Sequence, residues 1–279
     1  ARLEAPLIAV ELGFDGRFEL ETGDANLVLR IEEGAVLWQK ERLVNIALDR
    51  LPDSCDAVLC IDCDVFFLFP EWCSDAVGLL DRYPVVQPYS SVLHLDRDWS
   101  PGSAPEDCID FKQPALAAVS DPASHLVEAT RRSAGSIAPG HAWLYRREIL
   151  CKRGLFDTCI VGGGDTAIAC AAWGEEDTAV ALHRMTVGQE ARYRDWARSF
   201  HDAVQGRVES VDGALAHLWH GSIEDRRPRD RHLILSQDDF DPGLDLKLNP
   251  EGAWEWGSDK PLLHKKVRDY FAARREDGA

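Results

Sequence analysis

Ala57-Val58-Leu59-Cys60-Ile61-Asp62-Cys63-Asp64 is the stretch on which the fold turns. Five unbroken apolar residues suit a strand covered on both faces, as in sheets flanked by helices. Two carboxylates then stand at the strand's carboxyl end, where open α/β sheets place their ligands. Extended backbone sets residues i and i+2 on one face, so Asp62 and Asp64 are expected to reach one hard cation or its water shell together. A cation so held neutralises a diphosphate leaving group. The plainer alternative is a pair of turn aspartates. Cys60-x-x-Cys63 does not read as a zinc or redox pair, because strand residues three apart face opposite ways and no second such pair occurs.

On the amino-terminal side, 7–12 is a short β-prone run closed by Gly13 and the Asp15-Gly16 turn, and 18–31 alternates well enough for further strands. A helical pattern over 36–51 stops at Pro52 and gathers Val36, Val44, Ala47, Leu48 and Leu51 on one arc. Lys40 falls inside that apolar arc, an unusual place for a lysine. On the carboxyl-terminal side the pattern gives a helix over 75–82, a strand at Val85–Gln87 and a long surface loop over 96–122. Stretches of helical or mixed character follow at 143–151 and 166–173, then a polar helix over Val187–Val204 and an amphipathic terminal helix over 262–275. Strands alternating with helices argue for an α/β architecture. The chain is expected to divide into a first half over 1–95, a surface loop region over 96–135 and a second half over 136–279 that ends in the terminal helix.

Composition narrows the function classes. The 279 residues, 45% hydrophobic and 28% charged, are ordinary for a globular protein. Acidic residues outnumber basic ones 48 to 31, and a formal net charge of −17 repels polyanions, which disfavours a nucleic-acid or anionic-membrane coat. No run approaches the ~18 apolar residues of a membrane span. The eight cysteines are scattered, several in apolar runs, and read as reduced thiols of a cytoplasmic protein. The chain opens at Ala1 without Met, so its natural start is expected to lie further upstream.

Three further constellations carry chemistry. Gly162-Gly163-Gly164-Asp165 lets backbone approach a ligand closely, with Asp165 either the cap of the following helix or a general base. His217 and His220 flank Trp219, and imidazoles join carboxylates in the shells of borderline ions such as Mn²⁺. The expected metal site is therefore Asp62, Asp64 and His220, with His217 in reserve, and its ion is Mn²⁺ first and Mg²⁺ second. Arg226, Arg227, Arg229 and Arg231 form a guanidinium cluster suited to phosphate oxygens, with Lys40 assisting.

In order and spacing these motifs resemble the metal-dependent nucleotide-sugar glycosyltransferases of GT-A fold, over about 7–231. Val161-Gly162-Gly163-Gly164-Asp165 is similar to the Gly-Gly-Glu-Asp segment of the inverting galactosyltransferase-type enzymes, with Gly164 in place of the Glu. The resemblance implies a Rossmann-type mixed sheet flanked by helices, a single domain whose C-terminal lobe completes the metal and acceptor sites. It implies Asp165 as catalytic base, and Arg42 and Asn45 beside the nucleotide. Gly140-His141-Ala142-Trp143 resembles the donor and acceptor wall, so Trp143, Gly163, Gly164 and Trp219 are expected to line it. The implied donor is a nucleotide-diphosphate sugar, UDP-linked first. The acceptor class (saccharide, lipid, protein or modified-nucleobase hydroxyl) stays open. In that fold a further strand and helix precede the 7–12 run, so a segment of about 30–45 residues is expected before Ala1. Two rivals stand beside it. A haloacid-dehalogenase-type phosphatase shares Asp-x-Asp, but Phe66 and Ala169 break its pattern. A non-catalytic glycan-binding protein with nine Trp needs neither the Asp pair nor the Arg cluster.

Overall fold

In the computed structural model, which describes residues 5–130, 136–228 and 230–276, the quoted run forms the strand Ala57–Ile61. Val58 and Cys60 pack on one hydrophobic cluster and Leu59 and Ile61 on another, so both faces are covered as the apolar run requires. The strand is nonetheless only half-buried, because it lies at a sheet edge and pairs on one side only, with Ala142–Arg146. That sheet continues through Val85–Gln87 to Val208–Ser210. A second four-stranded sheet runs Val65–Phe67, Ala214–His217, Ser91–Leu95, Ile109–Pro114. Both are mixed: each holds one parallel and two antiparallel pairings.

The two sheets share their chain. Ala57–Ile61, Val85–Gln87 and Val208–Ser210 each leave the first sheet and, after a break at 62–64, 88–90 or 211–213, enter the second. At 88–90 and 211–213 the parallel sense is kept, since Ala214–His217 still runs parallel to Ser91–Leu95. At 62–64 the chain reverses, and Val65–Phe67 runs antiparallel to Ala214–His217. This reversal undoes the expectation that Asp62 and Asp64 share one face. Side-chain parity holds only while backbone stays extended, and here a turn intervenes.

Two smaller ladders complete the strands: parallel Ile8–Leu12 with Leu27–Ile31, and antiparallel Leu246–Leu248 with Trp254–Trp256. The largest core surrounds the helix Gly164–Trp173, whose alanines at 167, 169, 171 and 172 let Val187–Val204 pack closely on it. That second helix begins with a capping box in which Thr186 accepts from the Gln189 amide. A further core joins Leu235, Phe240 and Trp254 to the terminal helix Pro261–Ala273. The expected division at 95 and 135 does not separate two bodies, because strands from both halves interleave in both sheets. The expected loop over 96–122 contains the strand Ile109–Pro114. Of the described helices none is long and apolar enough to cross a membrane, and none of the eight cysteines is joined in a disulfide.

Candidate active site

Asp62 and Asp64 diverge from the reversal toward two clusters. Asp64 faces imidazoles: its Oδ2 lies 3.1 Å from His220 Nε2 and 3.5 Å from His217 Nε2. The two Nε2 atoms are 3.0 Å from each other. His217 is carried there by the strand Ala214–His217, in parallel register with His94 on Ser91–Leu95. Behind it a relay fixes tautomers: Gln113 Oε1 accepts from His94 Nε2 at 2.7 Å, and His94 Nδ1 meets His217 Nδ1 at 3.0 Å. With His94 Nε2 the donor, its Nδ1 accepts from His217 Nδ1, so His217 Nε2 donates to Asp64 as an imidazolium and presents a lone pair there when the imidazole is neutral. Lone pairs of two imidazoles and a carboxylate at such separations require a proton or a cation among them. Burial alone would raise the Asp64 carboxyl, but the His217 hydrogen bond and the charges of His217, His220 and His141 hold it at about 2. Burial, then the neighbouring His217, pushes His94 down to about 4. Asp64, His217 and His220 thus offer one carboxylate and two imidazoles, all donor atoms within 4.8 Å, and together could hold a metal ion. Asp64 Oδ1 is buried without a partner. Asp62 is outside this trio, and His217 stands fully within it.

Asp62 belongs to the second cluster. Lys40 Nζ donates to Asp62 Oδ1 at 3.0 Å and to Asp165 at 2.8 and 3.0 Å. Lys40 opens the helix Lys40–Leu48 and turns inward, which explains a lysine inside an apolar arc. Burial opposes its charge, yet Asp165, Asp62 and Glu41 keep the ammonium well above its usual range. Asp62 is pushed up to about 6 by burial despite Lys40. His141, held at a left-handed φ of 71°, places Nδ1 3.9 Å from Asp62 Oδ2. Strain of this kind in a non-glycine residue collects at ligand sites.

Asp165 does not cap its helix. The cap position is Gly163, left-handed at φ 97°, and Asp165 is the second helical residue, with its carboxylate turned to Lys40. Gly164 lies against Glu41: a Cβ there would stand 2.1 Å from the Glu41 carboxylate. The space beside Gly164 is filled by a carboxylate from the helix Lys40–Leu48. Glu41 is buried, its Oε1 has no partner, and desolvation lifts it to about 7 against the pull of Lys40. A carboxyl raised from 4.5 to about 7 stabilises the fold fully below pH 4.5 and loses that contribution as pH rises through 7. Thermal melts of the wild type should therefore fall between pH 5 and 8 by the equivalent of about 2–3 kcal/mol at most. Glu41→Gln should flatten that slope; an unchanged slope would remove Glu41 as its source.

Several expected residues lie elsewhere. Arg42 pairs with Asp157 at 3.0 Å, and Asn45 clamps both backbone groups of Leu155, so both side chains face the 154–157 segment. Trp143 is core: 3% exposed, with its indole N–H donating to Pro139 O, it cannot line an acceptor wall. Arg227 sits over the Tyr270 ring, and Arg231 packs on Gly162 beside His232. Trp219 is half-buried and carries Arg97 over its ring. Arg226 lies near enough to the trio to feel the Asp64 charge. Arg229 lies outside the described residues.

No family model, curated protein or solved structure matches this chain. The centre is accordingly read from its own chemistry. Sequence reasoning missed His94, Gln113, Glu41, Arg274 and Glu276. Only Glu41 left a trace, as a charged neighbour of the inward Lys40.

Proposed function

We propose that this chain is a metal-dependent glycosyltransferase of GT-A type. It moves a sugar from a nucleotide-diphosphate donor, UDP-linked first, to an acceptor hydroxyl with inversion. The observation that carries this reading is where hydrogen-bonding capacity is left unused. Among the described residues thirteen buried polar side-chain atoms lack a partner, and seven belong to Trp38, Glu41, Asp64, His141, Arg226 and Arg274, grouped around Asp64 and Lys40. Buried polar groups are nearly always paired, so such a gathering marks a place meant for a polar ligand. Carboxylates, imidazoles and guanidiniums together suit a cation and a diphosphate.

The two imidazoles and one carboxylate of His217, His220 and Asp64 fit a borderline ion such as Mn²⁺ better than the oxygen-seeking Mg²⁺, and an ion bound there would supply positive charge for the departing diphosphate. Asp165 accepts the proton of the acceptor hydroxyl as the new C–O bond forms and the bond from the anomeric carbon to phosphate oxygen breaks. Lys40 holds the Asp165 carboxylate in place until the acceptor arrives. Gly140 brings its backbone directly against Asp165, where an added Cβ would meet the carboxylate at 2.8 Å.

A panel of labelled nucleotide sugars, incubated with the protein with and without Mn²⁺, tests the proposal. Slow donor hydrolysis that requires Mn²⁺ and stops with chelator is expected. Full turnover in excess chelator, or release of phosphate from simple monoesters instead, would overturn it.

A further inference from the structure

The terminal helix Pro261–Ala273 ends against the metal trio, and the residues after it are unusual. Arg274 is 3% exposed and lies over the rings of Trp38, Tyr270 and Phe271. Its Nε and Nη1 are buried without a partner, and so is Nε of Arg226. Arg226 Nη2 donates to Gly221 O at 3.2 Å, and the Arg226 carbonyl accepts from the hydroxyl of Tyr270, whose ring carries Arg274, so the two guanidiniums flank one segment. Arg274 opposes the Arg226 charge and Asp64 supports it. Buried N–H groups without a partner, next to a second like charge, favour an anion between them. One anion is already at hand. Glu276 Oε1 accepts from Arg274 Nη2 and lies 3.4 Å from His220 Nδ1, on the far side of the imidazole from Asp64. Glu276 is half-exposed, so it can swing into solvent. Gly221, next to His220, touches the backbone of 274–276 and holds this segment against the site.

We infer that Arg274 and Arg226 form a diphosphate-binding subsite beside the Asp64, His217 and His220 trio, and that the Glu276 carboxylate closes it when no ligand is bound. The identification of the anion as a donor's diphosphate rests on the glycosyltransferase reading; the anion subsite itself rests on the two guanidiniums. A diphosphate matches the pair in charge and in its many acceptor oxygens, which a single carboxylate leaves partly unanswered. Ligand entry exchanges one Arg-bound carboxylate for another anion, with no bond made or broken.

The test is calorimetric titration of inorganic pyrophosphate and of UDP into the full chain, after chelator treatment so that no divalent ion takes part. Glu276→Gln removes the competing charge and should tighten pyrophosphate and UDP about three- to tenfold. Arg274→Gln should weaken both at least about tenfold, the size of one charge-assisted hydrogen bond. Arg274→Lys, which keeps charge and bulk but loses the fork, should fall between. A gain of affinity cannot arise from misfolding, so Glu276→Gln decides even if the Arg274 variants prove unstable. Wild type that binds pyrophosphate with Glu276→Gln unchanged or weaker overturns the closure and its subsite, as does wild type without pyrophosphate or UDP binding. Binding that behaves as expected in a protein that hydrolyses no nucleotide sugar would uphold the subsite and sink the transferase reading alone.

Discussion

Asp165→Asn is expected to fold as the wild type does and to lose sugar transfer by about 10²- to 10⁴-fold, the usual contribution of a positioned general base. The carboxylate is not needed as a helix cap, since Gly163 holds that position. Asn keeps the shape and one acceptor oxygen for Lys40, which retains its second carboxylate at Asp62. Removal of charge therefore falls on proton acceptance. The loss should appear in kcat with little change in the KM for donor, because the metal trio is untouched. Full turnover by Asp165→Asn, or a product that keeps the donor's anomeric configuration, would refute direct displacement with Asp165 as base.

Asp64→Ala or His217→Ala should weaken Mn²⁺ binding by at least about 100-fold, since even outer partners of metal ligands are worth 10- to 100-fold. Donor turnover should fall with it. Asp62→Asn is the informative companion. Its carboxylate faces Lys40, so metal affinity should stay within a few fold, whereas a shared Asp62–Asp64 ion site would lose most of it. Mn²⁺ titrations followed by calorimetry or electron paramagnetic resonance distinguish the two. Equal losses in Asp62→Asn and Asp64→Ala would mean that the sequence expectation, not the observed divergence, describes the bound state.

That contrast shows what the sequence can and cannot convey. Patterns within one element were legible: the strand at Ala57–Ile61, the strand at Val85–Gln87 and the helix Val187–Val204 all lie where periodicity places them. Lys40 in an apolar arc was a true signal of an inward charge. Even the missed strand Ile109–Pro114 carries the alternation of a half-buried strand, with Ile109, Phe111 and Gln113 less exposed than Asp110 and Lys112. Its flanking Pro, Asp and Ser residues hid it. What could not be read was convergence. His94 meets His217 only because two strands 120 residues apart align in parallel register. Asp62 parts from Asp64 only because the chain reverses between sheets. Nothing in the amphipathic pattern over 262–275 singles out Arg274, and only the packing of three rings around it shows that it is buried.

Lys40 meets Asp165 across 125 residues, and Gln39 binds the Trp254 carbonyl across 215. Contacts of that span must close large loops before they contribute anything, and chains built on them fold slowly. During synthesis Lys40 and Asp62 leave the ribosome long before Asp165, and His217 and Trp254 come later still. For most of translation the nascent chain therefore exposes half-made sheet edges, the condition that recruits chaperones and invites aggregation. The helix Pro261–Ala273, translated after all of these, then completes the core that holds the Trp38 side of the centre.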